Sequence, residues 1–124
     1  MDGNKSLPTE RKRLPNRRLV ENRRVELENG QSVFLSVGYD PADPVNPKEV
    51  FYASGFKSGS MLEFQVQDFC VLFSLLLQHG QTPTEIAKSL ARKETPAGAL
   101  EYGSISGMIV AELAKPPIWD ACQE

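Results

Sequence analysis

Gly55-Phe56-Lys57-Ser58-Gly59-Ser60 stands directly before the longest apolar run of the chain and is the stretch best suited to hold an anion. If a helix begins at Ser60, the amides of Ser58, Gly59 and Ser60 and the positive end of the helix dipole converge on one place. With Lys57 as counter-charge, a phosphate, a carboxylate or a nucleotide would fit there. The stretch is not a P-loop, because Lys57 lies two residues before Gly59 instead of following it. The competing reading is an ordinary strand-to-helix turn with a good N-cap. A second set of charges, Arg11, Lys12, Arg13, Arg17 and Arg18, continued by Arg23 and Arg24, could neutralise the phosphates of DNA or RNA. Its alternative is a solvated arm folded over an acidic body. No aromatic residue lies among these arginines in the sequence, so a stacking platform is not expected.

Other chemistries lack their parts. The single histidine, His79, has no nucleophile beside it in the sequence, and Glu63 and Asp68 are five apart, on different faces of a helix. One histidine and two distant cysteines, Cys70 and Cys122, give neither a metal set nor a disulfide framework, so no metal and no cofactor are expected. Thr82 to Arg92 resembles the first half of a helix-turn-helix. More than ten residues, with Pro96, Gly98 and Gly103 among them, then intervene before a recognition helix could start.

The element that must position these groups is Ser58 to Gly80. Ser60 and Glu63 form a capping box at its start, and Gly80 behind His79 ends it. Phe64, Phe69, Leu72, Phe73 and Leu76 spread around more than one stripe of this helix, so one sheet face cannot cover them all. We expect a partner there, most simply the same helix of a second copy in a homodimer. Glu63, Gln65, Gln67 and Asp68 interrupt the run, which argues against a membrane span.

Before the helix, Leu19–Leu27 alternates, Asn29-Gly30 supplies a tight turn, and Ser32–Tyr39 carries Val33, Leu35 and Val37 inward. Three prolines make Asp40–Pro47 a loop, and Glu49–Ser54 is a third strand. After the helix, Thr82-Pro83-Thr84-Glu85 caps a short helix to about Arg92. Thr95–Gly98 is a loop, and Ile105 to Leu113 recurs at helical spacing until Pro116-Pro117. Ile118 and Trp119 are expected to tuck back onto the body. The fold class is therefore α+β, a three-stranded antiparallel meander packed on a long central helix and followed by two shorter helices. We expect a mobile basic arm over 1–16, one domain over 17–119 and a loose tail over 120–124.

The 124 residues suffice for one modest core. The net charge of −2 hides an asymmetry: residues 1–24 carry eight Lys/Arg against three Asp/Glu, net +5, and residues 25–124 six against thirteen, net −7. No apolar region follows the N-terminal basic residues as in a signal peptide, so a cytoplasmic location is expected.

Four pieces resemble a known family: Arg11-Lys-Arg-Leu-Pro-Asn-Arg-Arg18, Glu49-Val-Phe51 leading to Lys57-Ser-Gly59, Ser74-Leu-Leu-Leu-Gln-His-Gly80, and Pro96-Ala-Gly98. In order and approximate spacing they are similar to the TSCPD-type domain found at the C-terminus of adenosylcobalamin-dependent (class II) ribonucleotide reductases and as small stand-alone proteins of bacteria and phages. The resemblance implies a non-catalytic accessory or regulatory module that binds a reductase-like protein or a nucleotide effector. Reductase chemistry itself belongs to a separate barrel and needs three thiols, where this sequence has two. The alternative is a small DNA- or RNA-binding protein using the basic arm.

Overall fold

The structure, a computed structural model, describes residues 10–120. Three strands, β1 (Leu19–Glu26), β2 (Ser32–Tyr39) and β3 (Glu49–Ser54), form an antiparallel sheet in the order β1-β2-β3. Alternation decides which side is buried. Val25, Val33, Leu35, Val37, Tyr39 and Val50 point to the inner face and make the floor of the core. The helix α1 (Met61–Gln78) lies on that floor along β3, and α3 (Ile105–Leu113) adds Ile109, Val110 and Leu113 from the β1 side. The short α2 (Pro83–Ala87) packs on α3.

Each helix starts where a hydroxyl takes an orphan amide: Ser60 from Glu63, Thr82 from Glu85 and Ser104 from Gly107. The first two caps fall where the sequence places them. Among the described residues α1 is the one helix whose length and composition could cross a bilayer, and a third of it is buried inside the fold.

One expectation needs correction and one element was missed. The second helix does not reach Arg92: after Ala87 the amides of Lys88, Ser89 and Leu90 bond to the carbonyl three residues back, so the last turn tightens and stops. The loop expected at Thr95–Gly98 is present, as the turn at the tip of a hairpin that the sequence reading missed, β4 (Arg92–Glu94) paired with β5 (Leu100–Tyr102). Arg92 stacks over the Tyr102 ring at 4.5 Å, and Lys93 reaches Glu28 at 2.6 Å, tying the hairpin to the β1–β2 turn. That lysine holds the exposed Glu28 carboxyl below its ordinary range, and Lys93 is pushed up in return.

Candidate functional site

The expected anion cradle is already filled by the chain itself. The Glu63 carboxylate accepts the Gly59 amide at 2.8 Å, Ser60 Oγ accepts the Glu63 amide at 3.2 Å, and the Ser60 amide donates to the Lys57 carbonyl at 3.1 Å. The return bond of the capping box goes to Gly59, not to Ser60. Two of the three amides expected to face a ligand are thus used within the turn, and a carboxylate of the chain stands where the anion would. Lys57 and Ser58 are exposed. The ordinary N-cap reading accounts for this geometry.

The basic segment is held at two points. The Lys12 amide donates to the Gln78 carbonyl at 2.9 Å, and Arg11 Nε donates to the Gln78 side chain. Gln78 is itself buried and donates to the Lys48 carbonyl at 3.1 Å. Arg18 Nη1 pairs with Glu49 Oε2 at 2.7 Å, and its Nε donates to the Pro15 carbonyl. Arg11, although exposed, and the half-buried Arg18 are therefore tied to the body by side-chain bonds, whereas Arg13, Arg17 and Lys12 are exposed. Residues 1–9 of the expected arm and 121–124 of the expected tail, Cys122 included, lie outside the described residues. Arg23, read in the sequence as a continuation of the basic cluster, belongs to the interior. It is 7% exposed and bonds Glu21 at 2.8 Å, the Tyr39 hydroxyl at 2.9 Å and the Glu112 carbonyl. Burial pushes the Tyr39 phenol up to about 12. Trp119 covers this cluster, its ring edge-on to Tyr39 at 4.9 Å and its Nε1 donating to the Pro44 carbonyl. Ile118, expected to tuck in with it, is exposed, although its amide donates to Glu21.

The helix α1 divides by face. Val66, Cys70, Phe73, Ser74, Leu77 and Gln78 are buried. On the opposite side Met61 is 73% exposed, Phe64 53%, Val71 56%, Leu72 61% and Leu76 45%. Of the five side chains expected to meet a partner, Phe64, Leu72 and Leu76 do face outward. Phe73 is in the molecule's own core, and Phe69 is half-buried and stacked on it at 5.5 Å. The sequence reading missed Met61 and Val71, whose spacing of three and seven from Phe64 would have found them.

Among the described residues the candidate catalytic side chains stand apart. The Cys70 thiol is pushed up to about 12 by burial, so at neutral pH it is protonated and a poor nucleophile. His79 caps α1, its amide donating to the Leu75 and Leu76 carbonyls. No group of three metal-ligating side chains occurs among the described residues. An open cleft of about 610 Å³ is lined by charges of both signs, Arg24, Glu26, Glu112 and Lys115, beside Tyr102 and Met108.

These features define a small α+β module with an exposed apolar helix face and no assembled catalytic centre among the described residues. The chain belongs to the TSCPD domain family, whose model matches residues 8–115. No curated protein and no solved structure matches it. The family pieces meet in space: Arg11 with Gln78, Arg18 with Glu49, and Ser74 with Val50, so the pattern is in large part the brace around β3 and the end of α1.

Proposed function

We propose that this chain is a non-catalytic accessory or regulatory module related to the C-terminal domain of class II ribonucleotide reductases, acting through protein contact made by the outer face of α1. The observation that supports it is the stripe Met61, Phe64, Val71, Leu72 and Leu76, each 45–73% exposed on one helix. Such an apolar stripe on an 18-residue helix marks an interaction surface. The simplest occupant is the same stripe of a second copy, related by a two-fold axis. The stripe runs from 61 to 76, so an antiparallel pairing centres near Asp68, an exposed residue of this face. The two Asp68 carboxylates would then oppose each other at the axis and weaken the pair.

Sedimentation equilibrium at micromolar concentration tests this. We expect a dimer of the 13.8 kDa chain, a monomer for Leu72→Lys, and a several-fold tighter dimer for Asp68→Asn. A single species at the chain mass in the unsubstituted protein overturns self-pairing, and weaker association in Asp68→Asn overturns the antiparallel crossing.

A further inference from the structure

The two edges of the sheet are finished differently. The Leu27 amide donates to the Gln31 carbonyl at 2.8 Å and continues the β1–β2 register, so these two residues are a hydrogen-bonded pair. Such pairs alternate along an antiparallel ladder, which makes Val25, Arg23 and Glu21 the residues that bond β2. Val20, Asn22, Arg24 and Glu26 turn their amides and carbonyls the other way, out of the sheet. The same alternation carried through β2 turns Val50 of β3 outward, and there Ser74 takes both of its groups. At β1, no hydrogen bond reaches the outward main chain of those four residues from any other described residue. One edge is closed by a side chain and the other is open.

The space beside the open edge suits one more strand. On its inner side two clefts of about 610 and 480 Å³ lie between β1 and α3 and share Arg24, Glu112 and Lys115 in their walls. The first has an apolar part made by Val25, Leu27 and Met108. Lys93 stands 2.6 Å from Glu28 and 4.0 Å from Glu101, and Lys115 stands 3.2 Å from Glu112, so these lining charges already have partners. Arg24 and Glu26, exposed on the outer face, form no ion pair with any described residue. A strand added antiparallel, the more stable direction, sets one side chain opposite Glu26, the next into the first cleft beside Val25, and the third opposite Arg24. The complement is a basic, an apolar and an acidic residue in succession.

β1 itself reads Arg24-Val25-Glu26, so a second copy would meet the charges. The helix above it stands in the way. α3 packs on β1, and a two-fold pair of β1 strands would set two α3 helices over strands about 5 Å apart. Packed helices need about 8–10 Å. An extended segment with no helix above it meets no such conflict.

We propose that the open edge of β1 takes an extended segment of a partner protein as a fourth, antiparallel strand, with basic, apolar and acidic residues facing Glu26, the cleft and Arg24 in turn. Main-chain bonds hold the segment, and the two charges set its register. The edge is separate from the α1 stripe and stands or falls separately from it.

The test uses the labelled peptide acetyl-TVKVEVT-amide, which carries that order, and acetyl-TVEVKVT-amide, in which the charges are exchanged, against the full chain and its Leu72→Lys variant. Fluorescence anisotropy should show several-fold tighter binding of the first peptide, equal in both proteins. Hydrogen exchange at the Asn22 and Arg24 amides should slow when it binds, while the Arg23 and Val25 amides, already bonded to β2, change little. Asn22→Pro removes an outward amide and no bond of the β1–β2 ladder, so it should keep its melting temperature. It should bind roughly 2- to 13-fold more weakly, the worth of one hydrogen bond. Arg24→Glu combined with Glu26→Lys should reverse the preference between the peptides, and decides the matter if Asn22→Pro does not fold. No binding of either peptide overturns the proposal and leaves Arg24 and Glu26 as charges that guard the edge against pairing. Equal binding of the two peptides, or binding without slowed exchange at Asn22 and Arg24, overturns it as well, as does binding that a folded Asn22→Pro leaves unchanged. Tighter binding of the exchanged peptide overturns the antiparallel direction. A Leu72→Lys protein that stays dimeric and dissociates on Arg24→Glu overturns it in favour of a second copy on this edge.

Discussion

At the scale of single residues, two positions carry consequences that their types alone do not announce. Gly38 lies inside β2, where glycine weakens a strand unless something needs the room. A Cβ there would fall less than 3.0 Å from three atoms of the Glu49 side chain, which Arg18 holds in place. Gly38→Ala must push Glu49 aside and break that ion pair. We expect a loss of about 1–3 kcal/mol, as for overpacking elsewhere, read from urea denaturation. With Glu49→Ala as background the loss should shrink, because the clash has gone. An equal loss in both backgrounds would show that the backbone, not Glu49, needs the glycine. Arg23 is the second position. Alternation with Arg24 makes one of the two face inward, yet the sequence gives no sign that a guanidinium can be housed there. Its partners Glu21, Tyr39 and the Glu112 carbonyl come from three separate elements, and only the fold brings them together.

At the scale of elements, legibility follows the length of the pattern. The three strands alternate over six to eight residues, and α1 is capped at both ends, so their bounds could be read from the chain. The hairpin β4–β5 has three residues a side, nearly all exposed and four of the six charged, so it has no apolar period to show. It is held by the cross-strand Arg92–Tyr102 contact and the long-range Lys93–Glu28 pair, neither of which shows in the spacing. The anion loop was legible as a helix start, but the bond that closes it, from the Gly59 amide to Glu63, depends on a side-chain conformation that a capping box does not fix uniquely. Among the elements, β3 poses a further question, because it is an edge strand. Ser74 of α1 answers it: its Oγ accepts the Val50 amide at 2.9 Å and donates to the Val50 carbonyl at 3.1 Å. Ser74→Ala should leave both groups buried without a partner, a cost of about 1–3 kcal/mol. Hydrogen exchange at the Val50 amide should quicken far more than at Val37, in the central strand. Unchanged exchange at Val50 would mean that water replaces the serine.

At the scale of the whole molecule, the core has put two proton-bearing groups out of reach of water. Burial pushes the Cys70 thiol from 9.0 and the Tyr39 phenol from 10.0, both to about 12. Cys70 is on the buried face of α1, and Tyr39 lies against Trp119 of the C-terminal segment, so the two report on one core from different elements. Below about pH 8 both groups hold their protons in the folded and the unfolded chain and contribute nothing to a pH dependence. Above that the unfolded chain releases first the thiol proton, around 9.0, and then the phenol proton, around 10.0, while the folded chain keeps both until about 12. The unfolded state then binds fewer protons than the folded one, so stability must fall as pH rises through this window. We expect urea midpoints that fall from pH 8.5 to pH 11, with a shallower fall in Cys70→Ala, which removes one of the two groups at some cost in packing. A fall of the same steepness in Cys70→Ala would mean that the thiol ionises as readily in the folded protein as in the unfolded chain, and that α1 does not seal this end of the core.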